Sequence, residues 1–139
     1  MNALRTIYRY WAAIVFVAVL VEVGAAGYGA FYSANHLKDK GDTFTHEGFE
    51  HGWDFHTGFG YIAILGMLIL LALALAARLG RRRIWWTLAL AVAGVVESVF
   101  AFLGDDHPAA GFLHPLNALV IFTLSGLIAH QAWRGSASA

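Results

Sequence analysis

Residues 55–83 read FHTGFGYIAILGMLILLALALAARLGRRR: a long apolar run closed by a glycine and three arginines. About 20 mostly apolar residues suffice for a helix to cross the hydrocarbon core of a bilayer, and this run is long enough. Three more such runs lie on either side of it. Together they predict helices over about 10–32, 55–79, 84–103 and 112–133. The connection at 80–83 has room only for a tight antiparallel turn. The expected fold is all-α, an integral membrane antiparallel four-helix bundle that occupies 1–139 as a single transmembrane domain.

Composition agrees. Of the 139 residues, 59% are hydrophobic and 13% charged, against about 25% charged in a soluble domain. There are no cysteines, which excludes disulfides, thiolate zinc sites, iron–sulfur clusters and covalently attached c-type heme. The formal net charge is zero, so nothing argues for a nucleic-acid partner. Arg5 and Arg9 precede the first apolar run, which is longer than a secretory signal core and lacks a clean cleavage site. It is read as a retained helix.

Charge orients the bundle. Arg5, Arg9, Arg78, Arg81, Arg82, Arg83 and Arg134 lie at the N-terminus, the 80–83 turn or the C-terminus. Asp39, Asp42, Glu47, Glu50, Asp54, Asp105 and Asp106 lie in the connections 33–54 and 104–111, with Lys38 and Lys40. Basic residues collect on the cytoplasmic side. Both termini are therefore expected in the cytoplasm of a multi-pass cell-membrane protein, with the acidic loops outside. Trp11, Trp85, Trp86 and Trp133 fall near inner boundaries and Trp53 near an outer one, as interfacial aromatic belts do.

Two histidines are placed alike. His56 precedes Thr57-Gly58-Phe59-Gly60, and His114 precedes Pro115-Leu116-Asn117. Each is expected in the first turn of a helix running from outside to inside, at similar depth, with Pro115 harmless in that turn. Helices 2 and 4 are diagonal in an up-down bundle. With neighbours about 8–10 Å apart, the diagonal is roughly 14 Å, a gap two imidazoles can close on one iron. Gly60, one turn below His56, offers room for a porphyrin, as do Gly24, Gly27, Gly29 and Gly94. Two axial imidazoles favour electron transfer over gas binding, so a b-type heme (heme b) with His56 and His114 as iron ligands is the leading expectation. The alternative is a pair of interfacial histidines bonded to water.

The stretch Phe55-His56-Thr57-Gly58-Phe59-Gly60-Tyr61, with its apolar helix and basic turn, resembles the heme-ligating helices of small membrane cytochromes b. Four helices with ligands on the second and fourth are similar to one half of heme A synthase. The motif His114-Pro115-Leu116-Asn117-Ala118 also resembles the last-helix motif of a family of small four-helix membrane proteins. Heme A synthase carries an acid-x-x-His pattern and often an arginine after the histidine. Here Asp54 stands two before His56 and Thr57 follows it. The resemblance implies a heme-binding scheme, not the synthase's catalysis.

Other polar residues leave alternatives open. Glu22 and Glu97 interrupt helices 1 and 3, and ionisable groups inside a membrane default to functional hypotheses. They are the candidate catalytic residues, as a proton route, a quinone contact or acids beside the cofactor. Alternatively they are carboxyls bonded to neighbours such as Tyr28 or Ser98. In the outer loop His46, Glu50 and His51 are weaker metal candidates. His46 with Glu50, and Glu47 with His51, have helical i,i+4 spacing, with His36, Asp54 and His107 nearby. The alternative there is a solvated acidic loop. His130 stands near the inner end of helix 4 with no partner histidine on helix 2.

Three functions fit. The first is a b-type cytochrome passing electrons between a membrane quinol or a redox protein and an outer-side acceptor, and thus a possible heme-dependent oxidoreductase. The second is a metal- or proton-handling transporter. The third is a non-catalytic accessory subunit of a membrane complex. A homodimer would rebuild the eight helices of a full synthase by analogy alone.

Overall fold

In a computed structural model that describes residues 2–39 and 41–134, the chain is four helices. They are α1 (Asn2–Asn35), α2 (His46–Ala76), α3 (Arg81–Asp106) and α4 (Pro108–Arg134). Lys40 lies outside the described residues. The shortest helix, α3, has 26 residues and at 1.5 Å per residue runs about 39 Å, more than the roughly 30 Å of a bilayer core. All four are long and apolar enough to cross a membrane. Large apolar side chains point outward along them, among them Ile14, Val17, Ile62, Leu65, Val92 and Leu119. A water-soluble surface does not carry so continuous an apolar cover.

The helices extend beyond their apolar runs, except that α2 stops at Ala76 instead of Leu79, where Arg78 turns left-handed. α2 begins at His46 rather than at 55, because Thr45 caps it: the Thr45 side chain accepts from the Gly48 N–H at 3.1 Å, and Glu47 sits favourably at the positive end of the helix. α4 begins at Pro108, where a proline's missing N–H costs nothing. Pro115 is therefore inside the helix and not in its first turn. His56 and His114 likewise lie well within their helices. The turn joining α2 to α3 is Ala77 to Gly80, and Arg81, Arg82 and Arg83 form the first turn of α3.

Each helix packs on two others: α1 on α2 and α4, and α3 on α2 and α4. Contacts run in opposite sequence order along neighbours. On α1 and α2, the Trp11 indole donates to the Gly66 carbonyl at 2.8 Å, Glu22 meets His56, and Gly29 lies against Trp53. On α3 and α4, Asn117 meets Ala93, His114 meets Glu97, and Gly111 meets Gly104. A Cβ on Gly104 would lie 2.8 Å from the Gly111 Cα, so this backbone approach requires glycine.

The core sits toward the Ala77–Gly80 end. It contains Tyr8, Ala12, Val15 and Val19 of α1, Met67, Leu70 and Ala74 of α2, Leu90 of α3, and Ile121 and Ile128 of α4. Tyr8 and Thr87 share a buried hydroxyl–hydroxyl bond of 3.0 Å between α1 and α3. It satisfies two polar groups that would otherwise be costly to bury.

Candidate functional site

The buried stripe of each helix ends in a polar residue. On α1 the positions 8, 12, 15 and 19 are buried, and the same three–four spacing reaches Glu22. On α2, His56 and Gly60 continue the stripe of Ala63, Met67, Leu70 and Ala74. On α3, Glu97 follows Leu90 and Gly94. On α4, His114 and Asn117 precede Ile121, Ser125 and Ile128. Side chains at this spacing share one helix face, so all four helices aim these residues inward and they meet in one layer.

The layer is two carboxylate–imidazole pairs. His56 Nδ1 stands 2.6 Å from Glu22 Oε2. The approach is too far off line for an N–H···O bond, and His56 Nδ1 and Glu22 Oε1 have no hydrogen-bond partner. His114 Nδ1 lies 3.2 Å from the Glu97 carbonyl and 3.4 Å from its Oε1. Asn117 ties the second pair down, donating to Glu97 Oε2 at 2.7 Å and to the Ala93 carbonyl at 2.9 Å. The carboxylate side chains are the more enclosed, 14% and 15% exposed against 22% and 27% for the imidazoles. Across the diagonal, the His56 and His114 rings lie 6.1 Å apart, centre to centre, at 84°. Each ring thus brings Nδ1 near a glutamate from the other diagonal.

His56 and His114 are the residues of this layer that could hold a cofactor metal. An imidazole nitrogen would bind a first-row metal at about 2 Å. Ligating histidines usually engage their other nitrogen with a carboxylate or carbonyl. Gly60 borders the site: a Cβ there would lie 3.7 Å from Glu22 Oε2, in ordinary contact. Gly24, Gly27 and Gly58 face open space. Gly29 and Gly94 do not offer the expected room, because their spaces are filled by the Trp53 indole and the Met67 sulfur.

The remaining candidates are dispersed. His46 Nε2 approaches Glu50 Oε1 at 3.2 Å on an exposed helix face, but His51 packs edge-on against Tyr32 instead of joining them. His36 stacks on Phe44. Among the described residues no three His, Asp or Glu side chains are gathered to hold a bare metal ion. His107 ends α3 through its backbone, and His130 lines a cleft at the opposite end of the molecule. Glu22 and Glu97 bond neither Tyr28 nor Ser98; their partners are the two histidines and Asn117. Asn117 had no assigned role in the sequence, although its spacing of three from His114 was the available signal.

These features define a class: a four-helix protein whose helices are suited to cross a membrane, with a histidine–glutamate layer inside. Compared with family models, curated proteins and solved structures, the chain matches none.

Proposed function

We propose that this chain is a small b-type cytochrome of the cell membrane, holding one heme b between His56 and His114. One observation carries the reading. Two imidazoles from α2 and α4 lie 6.1 Å apart, centre to centre, across the bundle at 84°, with His56 Nδ1 beside the Glu22 carboxylate at 2.6 Å and His114 Nδ1 beside Glu97, 3.2 Å from its carbonyl. His56 and His114 would hold the iron. Glu22 and Glu97 would orient the rings, and Asn117 would hold Glu97 in place. A heme bound there supplies one-electron redox chemistry, suited to passing electrons between a quinol or redox protein and an outer-side acceptor. The visible reduced-minus-oxidised spectrum of protein purified with ample heme tests the reading. Low-spin bands are expected, and a colourless protein ends it.

The fold reading is an antiparallel transmembrane bundle with both termini cytoplasmic. It is supported by the reversed order of contacts between neighbours and by all seven arginines standing at one end of the helices. A cysteine placed at Asp42 should react with an impermeant label from outside intact cells and one at Gly80 should not; the opposite pattern would invert the orientation.

The two carboxylate–imidazole pairs also favour a second reading, a proton-handling site in a transporter. In that case the protein is colourless and Glu22→Gln abolishes proton flux in vesicles.

A further inference from the structure

At the end opposite the histidine layer lies a shallow, open cleft of about 930 Å3. Five arginines line it: Arg5 of α1, Arg81, Arg82 and Arg83 of α3, and Arg134 of α4, with the Gln131 amide beside them. They come from three helices and converge only through the fold. None forms an ion pair among the described residues, where the ion pairs involve histidines alone. The acidic loop residues all belong to the other end.

A cytoplasmic bias of basic residues explains why arginines occur at this end. It does not explain why arginines of three helices border one hollow. Arg9 shows the other disposition: its guanidinium lies over the Tyr10 and Trp133 rings, 5.1 and 4.7 Å from their centres. Five like charges around one space repel unless an anion sits among them. Guanidinium groups match phosphate oxygens in pairs. The cleft also lies at the ends of the candidate membrane spans, at headgroup level. Ile7 and Trp85 are exposed close by in sequence, on surface where acyl chains can lie.

We propose that this cleft binds a phosphate-bearing anion, and that its source is the headgroup of an anionic phospholipid. Basic recesses between helices on the cytoplasmic side suit such headgroups. The proposal rests on the membrane reading and is independent of heme.

The test uses the purified full chain in detergent, titrated with phosphatidylglycerol or with phosphatidylcholine of the same acyl chains. Bound lipid is counted by native mass spectrometry. Phosphatidylglycerol should be retained and phosphatidylcholine lost, with binding weakening as salt rises. Arg82→Gln with Arg134→Gln should weaken binding roughly twenty-fivefold, about fivefold per arginine near the membrane surface. Arg78→Gln, outside the cleft, should weaken it by less than the roughly fivefold that a general surface charge is worth. Equal retention of the two lipids would overturn the proposal, and this wild-type comparison needs no variant to fold. An equal loss in Arg78→Gln would also overturn it, by reducing the cleft to a general positive field. If millimolar inorganic phosphate displaces the lipid and saturates the cleft unaided, the lipid source is overturned in favour of a soluble phosphate. A colourless protein that still selects phosphatidylglycerol would separate this result from the heme reading.

Discussion

The two halves of the bundle are built on the same stripes of residues but filled differently. Toward the α2–α3 turn the stripes carry Val15, Leu70, Leu90 and Ile128, and these side chains are almost wholly enclosed. Toward the α3–α4 turn the same stripes carry Glu22, His56, Glu97 and His114, which touch in pairs and stay partly open. Apolar packing is non-directional and fixes how the helices lie. Polar groups buried on that frame have directions and unsatisfied atoms. One half is a scaffold, and the other presents donors held in place by it, an arrangement expected of a site on rigid elements.

The sharpest way to break this contrast is to remove the donors. On the heme proposal, His56→Ala and His114→Ala should each abolish or severely lower heme content, since the two rings would hold it as a unit. Each variant should fold, because neither ring belongs to the apolar core. His130→Ala, at the other end, should leave the visible spectrum unchanged. Heme that survives loss of His114 would show that the two stripes do not end in a ligand pair.

The next test attacks the scaffold. Leu70 and Leu90 are 0% exposed. Leu70→Ala or Leu90→Ala should destabilise the protein by about 2–4 kcal/mol, seen as earlier unfolding in a detergent–denaturant titration. Folded protein should keep an unshifted heme spectrum. A spectrum that changes as much as the stability would mean that the halves are not separable.

Much of this was legible before any coordinates, and the limits have physical causes. Four helices follow from four apolar runs, which bilayer thickness makes hard to misread. Hydropathy places most helix ends short because 46–54 and 104–106 are polar, and it runs α2 on to 79, past its end at Ala76: it follows the membrane, while hydrogen bonding continues until a cap such as Thr45 or a proline such as Pro108. His56 and His114 were paired from matched depth. A place for the acids beside them is only one of three alternatives the sequence leaves open, since partner choice across helices depends on rotation about each axis. The three–four spacing from Val15 and Val19 to Glu22, and from Leu90 and Gly94 to Glu97, carried that rotation. The glycine cradle was misjudged for a related reason: a glycine shows where space exists, not which neighbour fills it, and Trp53 and Met67 fill two of those spaces.

The smallest effect lies in the turn joining the scaffold's two middle helices. The Leu79 N–H bonds the Ala74 carbonyl at 3.1 Å and the Arg78 N–H bonds the Leu75 carbonyl at 3.0 Å. This pair of bonds closes a helix when the residue after the cap turns left-handed. Glycine usually fills that position, yet here it is Arg78, with φ of 47°. Gly80 has φ of −56° and needs no special freedom. A side chain in the left-handed region costs roughly 1 kcal/mol. Glycine would recover that and surrender part of it through a more flexible unfolded chain. Arg78→Gly should therefore raise stability by a few tenths to about 1 kcal/mol, in the same titration used for Leu70→Ala. Six arginines still mark that end of the molecule, so topology should hold. A loss of stability greater than about 1 kcal/mol would mean that the Arg78 side chain, not its backbone, is what this turn depends on.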